Sequence, residues 1–283
     1  MNRNTAFYTK LFLNRFTPDE TNLLLDFFPE GKEAIEGITN EQNDPSLAFQ
    51  SPEEILLNIH YSWLAQKLSK NPKEMAKLYL AAFPKTLKEK IQGLLNAPLE
   101  LPEISFLAKR YLQLEFLKQL LPEDFIPAHF TPKSDLKPLG ALDKNKMVEV
   151  IDFLGLFDLT EEMKKIVDTK LLKKLNDTLS SKQKAFIKEC MQKKDNIQAP
   201  PFPLYDWNGN KKELKKRIHK KGLIRLSKAL SGEDPRFIWH VTRTLDTGRG
   251  KILNDMISED PTPNITEAMK RKTLLLISYL QKD

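Results

Sequence analysis

The chain is 283 residues long, with 45 Lys and Arg against 38 Asp and Glu, a formal charge of +7 and one cysteine, Cys190. That length holds two or three small domains with cores of their own, and a single cysteine excludes an internal disulfide framework and fits a reducing compartment. Only 10 glycines against 18 prolines, with few alternating β-branched runs, point to an all-α protein of short helices punctuated by proline-containing loops.

Residues 1–45 read as an N-terminal helical segment. Phe7, Leu11 and Phe12 form an apolar stripe before Thr17-Pro18, and Thr17-Pro18-Asp19-Glu20 is a start signal for a second helix with Leu23, Leu24, Phe27 and Phe28, ending at Pro29. Arg3, Lys10 and Arg15 interrupt the apolar core that a signal peptide needs. Asn40, Gln42, Asn43, Asp44 and Pro45 mark a polar linker over 40–50. Ser51-Pro52-Glu53-Glu54 opens a block over 51–121, whose first helix runs through Ile55, Ile59, Trp63 and Leu64. Asn71-Pro72 starts the next, with Met75, Leu78, Tyr79 and Phe83. Phe83-Pro84 ends it, and Leu87, Ile91, Leu94 and Leu95 continue the pattern. A helix with Phe106, Leu107, Tyr111, Leu114, Leu117, Leu120 and Leu121 closes the block, and residues 122–140, with Pro122, Pro127, Pro132 and Pro138, read as a proline-rich linker.

A second helical block is expected over 141–198. Its helices carry Val148, Ile151 and Leu154, then Met163, Ile166 and Val167, then Leu171 to Leu179, and Ser180-Ser181 caps a fourth with Phe186 and Ile187. Repeated short helical hairpins predict armadillo-like stacking. Ala199 to Pro203 forms a hinge into a compact helical domain over 204–283. There Asn210 caps a helix through Leu214 and Ile218 that Gly222 ends, and a second carries Leu223, Leu226 and Leu230 to Ser231-Gly232. Asp234-Pro235 opens a helix with Phe237, Ile238, Val241 and Leu245. Asp246 caps one with Ile252, Leu253 and Met256, and Thr266 caps the last, with Met269, Leu276 and Leu280. The longest uncharged apolar run, Thr273 to Leu280, falls well short of the ~20 residues of a membrane span, so a cytoplasmic protein is expected.

The order of residues in the last block resembles the C-terminal domain of the flagellar rotor switch family FliG. Ala229-Leu230-Ser231-Gly232 stands where that family has its Ala-Leu-Lys-Gly turn, and Leu245-Asp246, Asn254-Asp255-Met256 and Pro261 to Thr266 follow its later caps and connection, so that Ala229 to Leu280 aligns without a gap. His60 to Leu94, with Asn71-Pro72 and Phe83-Pro84, is similar to the armadillo-type middle domain of the same family; its Glu-His-Pro-Gln partner motif reads Ile59-His60-Tyr61-Ser62 here. The charges with which the family meets its stator are mostly replaced, by Ser231, Gly248 (with Arg249 one residue on), Met256 beside the retained Asp255, and Asn264. The resemblance therefore implies a structural adaptor that has lost the torque function. It would link the cytoplasmic domain of a membrane basal-ring protein to a cytoplasmic ring or platform protein, peripheral at the inner membrane, in the manner of the type III secretion sorting-platform adaptors of the SctK type. A true flagellar rotor switch protein is the alternative within the same resemblance.

The net charge is concentrated. Between Lys211 and Lys228 stand nine Lys or Arg and one acid, Glu213, a local +8 that leaves −1 for the rest of the chain. This segment reads as a solvated helix face around the Leu214–Ile218 stripe or a site for an acidic protein partner, ahead of nucleic acid as the alternative; no aromatic stands among the lysines to stack a base. Candidate partner-binding residues are Lys211, Lys212, Lys215, Lys216, Arg217, Lys220, Lys221, Arg249, Asp255, His60 and Tyr61. Catalysis is not expected. His60, His129, His219 and His240 show no metal-ligand spacing with each other or with Cys190, which reads as a half-buried thiol on a helix. Thr247-Gly248-Arg249-Gly250-Lys251 lacks the spacer, the following hydroxyl and the preceding strand of a phosphate loop. No cofactor, metal or small-molecule substrate is implied.

Overall fold

The computed structural model describes residues 3–17, 19–28, 31–37, 51–95, 100–132, 134–192, 201–204, 206–258 and 261–281. The expected polar linker over 40–50 lies outside them, as do Ala199 and Pro200 of the expected hinge. Among the described residues the regular elements are all helical. In chain order they are α1 (Arg3–Phe16), α2 (Thr21–Leu25), α3 (Lys32–Glu36), α4 (Pro52–Asn58), α5 (Tyr61–Leu68), α6 (Lys73–Ala82), α7 (Lys85–Leu95), α8 (Phe106–Leu120), α9 (Lys137–Gly140), α10 (Lys144–Met163), α11 (Thr169–Thr178), α12 (Ser181–Met191), α13 (Lys211–Leu230), α14 (Pro235–Thr244), α15 (Thr247–Met256) and α16 (Pro263–Leu280), with a single 3-10 turn at Ala128–Phe130. No described helix is long and apolar enough to cross a membrane.

Short side chains start many of these helices. Ser51 and Ser180 each accept from the backbone N–H three residues on and receive the reciprocal contact from Glu54 and Gln183. Ser105, Asp143, Asp168, Asn210 and Asp234 cap α8, α10, α11, α13 and α14 in the simpler way. Each such cap contributes about 1 kcal/mol by giving an orphan N–H an acceptor. Other start signals act differently from the expectation. Thr17 turns its hydroxyl back to Leu13 O and caps nothing ahead of it, and α2 begins only at Thr21. Thr266 is buried inside α16, which Pro263 opens three residues earlier because its fixed φ suits the first helical position. The helix drawn through Ile55 to Leu64 breaks at Ile59, whose extended backbone hands over to His60 as the cap of α5. Met163 belongs to the end of α10, and Ile166 and Val167 lie in the loop after it, Val167 being 91 % exposed.

The chain divides into two compact units, residues Met1–Ser134 with Asp234–Thr247 and residues Asp135–Glu233 with Gly248–Asp283. The block expected over 204–283 is thus shared between them, and α14 belongs to the first unit. The reason is visible in the second half of that helix. Its last carbonyls are taken by the start of α5: His60 N–H donates to Arg243 O at 2.9 Å and Trp63 Nε1 to Leu245 O at 2.9 Å. The Arg243 guanidinium lies 3.8 Å from the centre of the Trp63 ring, and His240 Nε2 stands 2.8 Å from Ile126 O. Phe125 meets Trp239 edge-on.

The first unit has its main core between α4, α5, α6, α7 and α8, filled by Leu56, Leu64, Leu80, Phe83, Ile91 and Phe116. A smaller cluster joins Phe7 and Leu11 of α1 to Ile126 and Phe130. Residues 122–140 are therefore not a solvated linker: Ile126, Phe130, Leu136 and Leu139 are all buried.

The second unit is organised by the crossing of α10 and α13. Instead of two helices broken at Gly222, α13 is one helix of 20 residues. Gly222 permits close packing there. A Cβ at Gly222 would stand 1.7 Å from Ile151 O, and one at Gly155 would stand 2.0 Å from Ile218 O, so each helix presents its glycine to the other's backbone. Asp158 accepts from Arg225 Nε at 2.9 Å and Nη2 at 2.5 Å, with the arginine only 2 % exposed. α16 and α12 close this core through Met269, Leu276, Phe186 and Tyr279.

Candidate functional site

The nine cations between Lys211 and Lys228 separate into two kinds. Some are held by the fold. Arg225 is buried against Asp158. Arg217 donates to Pro203 O, to Asp206 Oδ1 at 2.6 Å and to Glu213, and Lys221 Nζ donates to Pro201 O at 3.0 Å. These two side chains fasten Pro201, Pro203 and Asp206 beside α13. The contact raises the Arg217 pKa through its bonds to Asp206 and Glu213, and the same guanidinium holds the Asp206 carboxyl below its ordinary value. Burial lowers the Lys221 pKa.

Of the others, Lys228 is half-buried in the last turn and five are on the surface. Lys211, Lys212, Lys215, Lys216 and Lys220 are exposed, while Leu214 and Ile218 between them are buried. Among the described residues none of these five lysines makes an ion pair or a side-chain hydrogen bond. They extend over about 14 Å of helix at 1.5 Å per residue. Lys211 and Lys212 occupy the first turn, the positive end of the helix dipole, and Lys211/Lys215, Lys212/Lys216 and Lys216/Lys220 are like-charge neighbours four residues apart. Each such pair costs a few tenths of a kcal/mol, and the only acid of the first turn, Glu213, is committed to Arg217. The face is thus electrostatically unfavourable for the isolated protein and favourable for binding an anionic surface. The side-chain stem of Lys174 of α11 passes beside Gly209, just ahead of the helix. Nothing in the spacing of the sequence signals that neighbour, which lies 35 residues away in the chain.

The remaining candidates are placed elsewhere. Arg249 faces into the second unit, its Nε donating to His219 Nε2 at 2.9 Å, while His219 Nδ1 stands 2.6 Å from Asp152 Oδ1. Because arginine Nε always carries a proton, the imidazole accepts on Nε2, which leaves Nδ1 as the nitrogen that faces the carboxylate. An Asp–His pair of this kind resembles catalytic machinery, but the nitrogen that would act as base is already occupied. Asp255 is exposed on α15. His60 and Tyr61 are half-buried in the first unit, with their rings 4.2 Å apart. His60 Nδ1 accepts from the Ser62 N–H at 3.3 Å and faces the Ser62 hydroxyl at 2.8 Å, so its ring serves as a cap. Cys190 is half-buried on α12. Among the described residues no group of three His, Cys, Asp or Glu is placed to hold a metal ion.

No family model matches the chain, and no curated protein or solved structure matches it either.

Proposed function

We propose that this protein is a non-enzymatic adaptor that joins other proteins, and that the lysine face of α13 is where an acidic protein partner docks. The observation that supports this is the segregation of cations on one helix: Arg217, Lys221 and Arg225 are held by contacts within the fold, and the five exposed lysines meet no acid among the described residues. Lysine suits such a surface, because a strongly hydrated, mobile ammonium gives long-range attraction and fast association without demanding one geometry. A protein partner is preferred to nucleic acid because Lys211 to Lys220 contains no aromatic side chain on which a base would stack.

The residue order of 229–280 and 60–94 supports a more specific reading: a FliG-like adaptor linking a membrane basal ring to a cytoplasmic ring or sorting platform of a type III secretion system, with its torque charges replaced. Mixing the purified protein with the cytoplasmic domain of the basal-ring protein, and separately with the platform ring protein, tests this reading by co-elution. Binding to both is expected; binding to neither contradicts it. Tight, steeply salt-dependent binding to DNA or RNA, lost when the five lysines become glutamates, would instead favour the nucleic-acid reading.

A further inference from the structure

Helix α8 has two faces with different fates. Gln113, Phe116 and Leu117 are buried in the first unit, with Gln113 Nε2 donating to Ala82 O at 2.8 Å. On the other side Leu107, Tyr111 and Leu114 are 77 %, 63 % and 44 % exposed. Apolar side chains exposed singly need no explanation, but three aligned along one helix mark an association surface. Their spacing is four and then three, and Lys118 follows after four more, which is the alternation of d and a positions in a heptad. In that register Arg110 falls at g and Glu115 at e, on opposite flanks of the stripe. When two such helices run parallel, g of one lies against the following e of the other, five residues on. The flanks carry one charge of each sign at that separation, so the surface is complementary to itself.

We propose that α8 is a self-association surface, on which two copies of this chain pair in parallel about a two-fold axis. Leu107, Tyr111 and Leu114 form the seam, and Arg110 of each copy faces the partner's Glu115, an isologous contact made twice. Glu115 also holds Lys118 within its own helix at 2.5 Å, but the lysine is exposed and the glutamate half-exposed, and such a pair is weak enough to be shared. The surface is independent of the α13 lysines, and its test does not depend on the adaptor reading.

Sedimentation equilibrium of the full chain tests it with three variants, Arg110→Glu, Glu115→Arg and the double exchange. A reversible dimer is expected at micromolar concentrations. Each single exchange sets like charges against each other twice and weakens the dimer by about tenfold or more, while the double exchange returns it to within about threefold of the parent. Circular dichroism confirms that the variants stay helical, since Arg110 is exposed and Glu115 half-exposed. Leu107→Glu abolishes the dimer. A chain that stays monomeric up to roughly 100 µM overturns the proposal. So does a dimer indifferent to the single exchanges or to Leu107→Glu, or one not restored by the double exchange.

Discussion

Gly222 sits where a side chain has no room, its Cα against the carbonyl of Ile151, and Gly155 answers it against the carbonyl of Ile218. Gly222→Ala and Gly155→Ala are each expected to lower unfolding stability by about 2–4 kcal/mol, because the obstacle is backbone and α10 and α13 must separate to admit a methyl group. Urea titration followed by circular dichroism checks this; a loss under ~1 kcal/mol would show that the helices are not so close. Asp158 and Arg225 cross the same two helices as a buried pair. Asp158→Asn strands a buried guanidinium and is expected to cost about 3–5 kcal/mol, whereas Asp158→Leu with Arg225→Met is expected to recover most of that loss. In the sequence, Gly222 reads as a helix stop, since glycine ends helices and also lets them approach, and only the facing backbone decides between the two. Arg225 reads as one more cation in a basic run for the same reason.

At the scale of elements, the caps were the most legible part of the chain. Ser51, Ser180, Asn210 and Asp234 act within three residues of themselves, so local sequence contains the whole interaction. The assignment of α14 to the C-terminal block failed because its partners, Trp63 and His60, lie more than 180 residues away. Likewise, the prolines of 122–140 announced a loop but not that Ile126 and Phe130 would be buried. The contact between Asp206 and Arg217 has a pH signature. Arg217 holds the Asp206 pKa below its ordinary value, so the pair contributes stability above the unfolded carboxylate value near ~4 and loses it as pH falls through the lower folded value. The difference in melting temperature between the parent and Asp206→Asn is therefore expected at pH 7 and should vanish as the pH drops below about 4. A difference that persists in acid would mean that Asp206 acts through something other than its charge.

For the whole molecule, the charge is divided as the units are. The first unit contains 17 Lys and Arg against 19 Asp and Glu, a net −2, and the second 28 against 19, a net +9. The concentration of charge in 211–228 was readable from composition, and its exposed part follows from the placement of Leu214 and Ile218 on the buried side. What the sequence did not reveal was that Arg217, Lys221, Arg225 and Arg249 are spent on internal contacts, which leaves a smaller and better-defined face. On the proposed reading of this face as a docking surface, changing Lys211, Lys212, Lys215, Lys216 and Lys220 together to glutamine is expected to raise stability, by about 1 kcal/mol, while weakening binding.

The most direct measurement is the affinity of the full chain for poly-L-glutamate over a range of salt, compared between the parent and that five-glutamine variant, with duplex DNA as the second probe. The account predicts that the parent binds the polyglutamate with an affinity that falls steadily with salt, that the variant loses at least about tenfold while melting no lower than the parent, and that DNA is bound more weakly than polyglutamate. Equal binding by parent and variant, or a clear preference for DNA, would contradict it.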